Sequence, residues 1–228
     1  MYSLAIQNLL YEPRQDFLPK LKDHLLPRIR EIHSDLGPPL GPVSDTISTP
    51  NDVLFKGNRF YAHSLLRINY TTYDLRRETD TVNPRTEHRN IMLLAQNDDE
   101  PISHPFCYAR VLGIYHANIM FTGPESRDYQ SRRLEFLWVQ WFELLKAPAG
   151  WDQYSLDKGR FIPMQRPDAF GFVDPADVLR CCHLVPAFAD GQQHLNDVAM
   201  SRNSRDADHW NYHYINRCVS TQIISQSA

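Results

Sequence analysis

The sequence predicts a mainly β (α+β) protein, a small β-barrel or sandwich preceded by an N-terminal amphipathic helical arm. Two apolar runs carry most of that expectation: FCYARVLGIYHANIMF (106–121) and RRLEFLWVQWFE (132–143), facing each other across the turn-rich TGPESRDYQS. The first contains Val111, Leu112, Ile114, Tyr115, Ile119 and Phe121, the second Leu134, Phe136, Leu137, Trp138, Val139, Trp141 and Phe142, a β-branched and aromatic content that suits a long hairpin. Parity is the second observation. Phe136 and Trp138 fall on one face of the second run and Leu137, Val139 and Trp141 on the other, so both faces need cover. The third is a helical period at Leu18, Leu21, Leu25, Ile29 and Ile32.

Residues 16–33 form that helix, with Asp16 available as N-cap and Lys20, Lys22, Arg28 and Arg30 on the opposite face. Pro19 falls in the first turn, where a missing N–H costs little; Pro27 falls inside and is expected to split the helix near Asp23 to Leu26. The following 34–51 gathers Pro38, Pro39, Pro42 and Pro50 with Gly37 and Gly41 and reads as an extended linker. From Phe60 the chain becomes strand-like, Leu66, Ile68 and Tyr70 alternating with Arg67, Asn69 and Thr71. A strand is expected at 90–95, an acidic loop at 96–105, and after the hairpin a long connection over 144–167 broken by Pro148, Gly150, Gly159, Pro163 and Pro167. Short strands follow at 169–173 and 178–185, with Asp174 placed to cap the segment between them, then a polar loop at 190–209 and a last strand at 210–216. The expected organisation is therefore a helical arm (1–36), a Pro-rich linker (37–52), a barrel-like domain (53–217) and a disordered tail (218–228).

With 228 residues and 42% hydrophobic side chains, the chain can bury one sizeable core. A formal net charge of −3 carries no global basic signature, which leaves nucleic-acid contact to a local patch. The four cysteines, Cys107, Cys181, Cys182 and Cys218, do not make a disulfide framework, and the opening MYSLAIQNLLYEPRQDF lacks the basic start of a signal peptide. An intracellular, soluble protein is expected. No apolar stretch approaches the roughly 20 residues that span a bilayer, so no membrane partner is expected either.

Among candidate sites, Arg67, Arg76, Arg77, Arg85 and Arg89, with His88, form a basic segment whose forks suit phosphate oxygens. Asp74, Glu78, Asp80 and Glu87 interleave with it, so the alternative is a solvated strand and loop with internal ion pairs. Leu18, Leu21, Leu25 and Ile29 make an apolar stripe that needs a partner unless the chain itself covers it. Trp138 and Trp141 have opposite parity, which favours core packing over an aromatic cage for a methylated lysine. His104, Cys107, Cys181, Cys182 and His183 supply soft ligands for zinc, against which stands the adjacency of Cys181 and Cys182; buried thiols are the plainer reading and no metal site is assigned. Asp174 and His183 could pair, but no nucleophile elbow, His-Glu-x-x-His helix or glycine-rich phosphate loop accompanies them. No catalytic residue, cofactor or small-molecule substrate is expected.

Six blocks then carry a resemblance: LPKLKDHLL (18–26), INYTTYDLRRETDTVNPRT (68–86), HPFCYARVLGIYHANI (104–119), LEFLWVQWFE (134–143), FGFVDPADVLRCCHLVPAF (170–188) and WNYHYINR (210–217). Together they resemble the C-terminal region of fungal Plavaka transposons, which are CACTA-like elements. The resemblance implies a non-catalytic accessory module, with the RNase-H-like catalytic core upstream, a nuclear location, and DNA, chromatin or the transposase core as partners. The family pattern continues past Arg217 with a Phe-Val-Asp-Arg-Asp type block, whereas this chain reads CVSTQIISQSA, so a truncated gene relic without selected function is an alternative expectation. The strand order is also similar, at the level of fold, to bromo-adjacent homology modules, β-barrels that bind chromatin or proteins. That similarity implies the competing reading of a chromatin-reader or protein-interaction barrel without nucleic-acid binding.

Overall fold

A computed structural model describes residues 2–5, 16–37, 47–72, 75–95, 104–145, 156–192 and 210–217. Its centre is the hairpin β7 (Phe106–Phe121) and β8 (Arg132–Leu144), paired from Tyr108↔Phe142 to Ile119↔Arg132 with a bulge between Val111 and Gly113. On its free side β7 pairs in succession with β6 (Asn90–Leu94), β3 (Arg59–His63) and β2 (Val53–Phe55); β3 in turn pairs β1 (Tyr2–Ala5). On the free side of β8 lie β10 (Phe170–Val173) and β9 (Lys158–Phe161), followed by β13 (His213–Asn216) and β12 (His183–Pro186). With β11 (Val178–Cys181) against β6, these make one eleven-stranded antiparallel sheet. Strands β4 (Leu66–Thr71) and β5 (Arg77–Val82) form a separate two-stranded ribbon.

The mainly β expectation holds, but the sheet does not close into a barrel. One continuous segment, 178–186, hydrogen-bonds β6 with its first half and β13 with its second, turning at Cys182, whose N–H donates to the Asn90 carbonyl at 3.0 Å. Because a single extended segment lies along both edges, the sheet between them must curl. The two edges are joined through the backbone and not by a complete row of interstrand bonds.

Both faces of the hairpin are covered, as the parity of β8 requires. On one face Leu134, Phe136 and Trp138 pack with Ala117, Ile119, Phe121, Val53 and Phe60 under helix α1 (Phe17–Ser34), which buries Phe17, Leu21, Leu25 and Ile29. Phe17 inserts between Trp138 (centroids 4.2 Å apart) and Phe172 (5.0 Å). Farther along the same face the curled strands enclose Met92, Tyr108, Phe142, Phe161, Cys182 and Ile215. On the opposite face Leu137, Val139, Ala109, Val111 and Ile114 meet Ile68 and Val82 of the ribbon together with Val173, Val178 and Cys181. At Gly171 of β10 a Cβ would lie 2.5 Å from Nε1 of Trp141, so a side chain there would have to displace the indole.

Three expectations about the helix are corrected. First, α1 runs unbroken through Pro27. Pro27 and Asp23 both lie on the exposed face, so the carbonyl that loses its intrahelical donor faces water and the cost of the proline stays local. Second, Asp16 sits at the N-cap but makes no side-chain cap bond. Third, α1 is not a free arm, and Leu21, Leu25 and Ile29 are fully buried with Leu18 packed beside them, so the chain's own sheet occupies the stripe read as a partner site. Full burial of each such side chain contributes about 1.5–3 kcal/mol. Polar ties fix the docking: Arg28 donates to the Glu135 carbonyl at 2.7 Å and pairs with Asp174 at 2.6 Å, while the Arg127 N–H donates to His33 Nδ1 at 3.0 Å. Of the expected linker, 38–46 lies outside the described residues; its end is a 3-10 turn, Pro50–Asp52, closed by a capping box between Thr49 and Asp52. Most of the expected acidic loop (96–103), most of the 190–209 loop and the 218–228 tail also lie outside the described residues.

Leu25→Ala, which leaves a cavity under the helix, is expected to lower stability to urea by about 2–5 kcal/mol. Pro27→Ala, on the wet face, is expected to raise it, by up to about 3 kcal/mol. Equilibrium urea melts of the two variants check both, and a loss of stability in Pro27→Ala would contradict the account of the helix given above.

Candidate nucleic-acid interface

The basic segment folds into the β4–β5 ribbon and its flanking turns. In register, Leu66 pairs Val82, Arg67 pairs Thr81, Ile68 pairs Asp80, Asn69 pairs Thr79, Tyr70 pairs Glu78 and Thr71 pairs Arg77. Alternation then sorts the side chains by charge. Leu66, Ile68, Tyr70, Glu78, Asp80 and Val82 turn toward the sheet; Arg67, Asn69, Thr71, Arg77, Thr79 and Thr81 are exposed on the outer face.

The inward acids are engaged by a network tied to β11. Arg180 Nε donates to Asp80 Oδ2 at 3.1 Å, the Cys181 N–H donates to the same oxygen at 2.9 Å, and the Arg180 guanidinium lies 3.6 Å from the centroid of Tyr70. A second Arg180 nitrogen donates to the Tyr70 hydroxyl at 2.8 Å, and that hydroxyl donates to Glu78 at 2.6 Å. Such charge-assisted, stacked contacts are the strong kind. Every acidic side chain of the ribbon's two strands is thus engaged on its inner face. Arg67 and Arg77 have no ion-pair partner among the described residues, and between them Thr79 Oγ1 donates to Asn69 Oδ1 at 2.9 Å.

Of the other basic candidates, Arg76 is exposed, its carbonyl accepting the Thr72 N–H at 2.8 Å, and the adjacent Leu75 adopts a positive φ of 61° and is 83% exposed. Arg85 and His88 are exposed in the 83–88 turn with Glu87. Arg89 is corrected: it is 4% exposed, its carbonyl accepts the Val111 N–H at 2.7 Å, and burial removes it from any interface. Asp74 lies outside the described residues.

The proposed zinc ligands are not brought together. Cys181 enters the cluster under the ribbon and Cys182 the core enclosed by the curl, with burial pushing both thiols up to about 12; His183 is exposed. His104 instead takes part in a clasp with Arg217 and Asp157. Arg217 donates to His104 Nε2 at 2.6 Å and pairs with Asp157, and His104 Nδ1 lies 2.8 Å from the Phe106 carbonyl. Among the described residues no three His, Cys, Asp or Glu side chains converge on a metal position. Trp138 and Trp141 belong to opposite faces of β8, so they cannot share a cage. Asp174 caps Ala176 N–H at 2.9 Å and pairs with Arg28, not with His183. No helix among the described residues is long and apolar enough to cross a membrane.

One histidine pair has no counterpart in the sequence reading. His63 Nε2 lies 2.7 Å from His116 Nδ1, and Tyr61 stacks on His116 at 4.7 Å and 9°. At that distance one ring donates its N–H to the other, which must be neutral to accept. Only strand register reveals the contact, since 53 positions separate the two.

Two measurements follow from this chemistry. Asp80→Ala, which strands the Arg180 charge and the Cys181 N–H, is expected to cost about 2–3 kcal/mol and to raise amide exchange across β4 and β5 first. The second concerns pH. Burial lowers the imidazole pKa of His24 and of His213 from 6.5 to about 4, and lowers those of His33, His63, His104 and His116 as well. Between about pH 6.5 and 4 the unfolded chain therefore binds protons that the folded state excludes, and stability must fall as pH falls through that window. Urea midpoints measured from pH 7 to pH 4 should decline steadily; a flat profile would contradict it.

Comparison of the chain with protein-family models, with curated proteins and with solved structures finds no match.

Proposed function

We propose that this chain is a non-catalytic module that grips the phosphate backbone of nucleic acid with the outer face of the β4–β5 ribbon. One observation carries the reading: Glu78 and Asp80 turn inward to Tyr70 and Arg180, while Arg67 and Arg77 stand on the solvent face with threonines and an asparagine. An ion-paired surface run would mix its charges on one face. Segregation across the ribbon gives a locally positive surface on a chain whose net charge is −3. This agrees with what the resemblance to the C-terminal region of Plavaka transposons implies: an accessory role beside a transposase core on DNA, in the nucleus.

A second reading, a protein-interaction module without nucleic acid, is favoured by an apolar group at the β12 edge. Phe188 is 66% exposed and meets Trp210 edge-on at 4.8 Å, with Val185 also exposed. Salt separates the two, because phosphate contacts release counterions and an apolar interface does not.

Fluorescence anisotropy on labelled duplex DNA between about 50 and about 200 mM salt tests the proposal. Affinity is expected to fall steeply across that range, and Arg67→Ala/Arg77→Ala to reduce the log–log salt slope by roughly 2. Absence of salt-sensitive binding, or an unchanged slope in the variant, would overturn it.

A further inference from the structure

We propose that the β4–β5 ribbon enters the major groove of B-form DNA and that Asn69 reads a base edge there, adenine by the chemistry of its amide. This rests on the phosphate-contact reading and adds the duplex form, the groove and the base.

Width is the first argument. The ribbon has two strands and no third strand pairs with it among the described residues. Strands lie about 4.8 Å apart, so the ribbon fits a groove about 12 Å wide, which admits a two-stranded β-ribbon and would exclude the broad eleven-stranded sheet.

Symmetry is the second. The outer face consists of three cross-strand rows, Arg67 with Thr81, Asn69 with Thr79, and Thr71 with Arg77. Rotation by half a turn about the normal to the ribbon at its middle row exchanges the positions of Arg67 and Arg77 and those of Thr71 and Thr81. The two arginines therefore occupy diagonal corners. Since Thr81 lies four positions from Arg77 on β5, they stand roughly 13 Å apart along the ribbon at about 3.3 Å per residue. With the ribbon lying along the groove, each arginine stands on the strand nearer one DNA backbone, and the local two-fold matches the relation between the two backbones, so each arginine takes a phosphate of a different strand.

The middle row then meets the base edges. Thr79 Oγ1 donates to Asn69 Oδ1 at 2.9 Å, which fixes the amide and leaves its Nδ2 hydrogens and a second Oδ1 lone pair. Adenine presents the matching pair in the major groove, N7 accepting and N6 donating. The inner face keeps the ribbon rigid for this, since Tyr70 and Asp80 are both held by Arg180. A-form RNA does not fit, because its major groove is too deep and narrow for side chains to read.

The test is selection of the whole chain on a duplex DNA library with a randomised core. Anisotropy then follows on the selected duplex, a scrambled duplex of equal length, and the selected sequence as an RNA duplex. The selected DNA is expected to bind roughly 5- to 100-fold tighter than the scrambled DNA, with adenine at a fixed position, and the RNA duplex to bind no better than scrambled DNA. Asn69→Ala, at an exposed position, should remove that preference at the adenine position while keeping scrambled-DNA affinity within about twofold. Arg67→Ala and Arg77→Ala should weaken both DNA duplexes alike. Salt-sensitive binding without sequence preference, a preference that survives Asn69→Ala, or equal binding to the RNA duplex would overturn groove readout and leave the phosphate contact standing. Failure to bind any duplex would overturn both.

Discussion

The fold depends on the two-sided burial of β8. Phe136 and Trp138 on one face and Leu137 and Val139 on the other are each buried, so neither face of this strand can be left to water. A hairpin cannot satisfy that alone. The helix supplies one cover through Phe17, Leu21, Leu25 and Ile29, and the ribbon supplies the other through Ile68 and Val82. Each accessory element then has one committed face and one free face. For the helix the free face carries Pro27 and ordinary surface charge; for the ribbon it carries the arginines.

Polar chemistry decides how those covers are oriented. The helix is held by Arg28 and His33, which reach backbone and side-chain groups of the hairpin and of the segment after β10. The ribbon is held by Asp80, whose single carboxylate oxygen receives both the Arg180 side chain and the Cys181 N–H. Placing acids on the buried side of a ribbon is expensive unless they are fully engaged. Arg180 and Tyr70 meet that condition, and in doing so they leave the solvent side of the two strands without a negative charge.

The hairpin is legible in the sequence because its two runs are long, aromatic and unambiguous in parity, and the helix because its apolar spacing is regular. Strand β5 is not, since RETDTV places acids where an inward strand position ordinarily carries an apolar side chain, and the partner that permits them, Arg180, lies 100 positions from Asp80. Strands β1 and β9 are four residues each and too short to show a period. The persistence of α1 through Pro27 depends on which way that residue faces, and facing is settled by docking. For the interface, Arg67 and Arg77 are visible as basic residues, whereas their separation from Glu78 and Asp80 emerges only with register. Arg89, which looks equivalent on paper, is buried.

The segment 178–186 touches both margins of the sheet, and this bears on how the protein reaches its fold. Ile91 and Cys181 are partners across roughly 90 positions, and β9 meets β13 across more than 50. Closing loops of that length costs entropy before the pairing returns any energy, so topology of this kind slows folding. The hairpin and ribbon, built from neighbouring residues, can assemble early, while the curl must wait for the last strand to arrive. Until then the margins of β6 and β9 stand unpaired, and the slowest step of maturation is also the one that exposes strand edges to other chains.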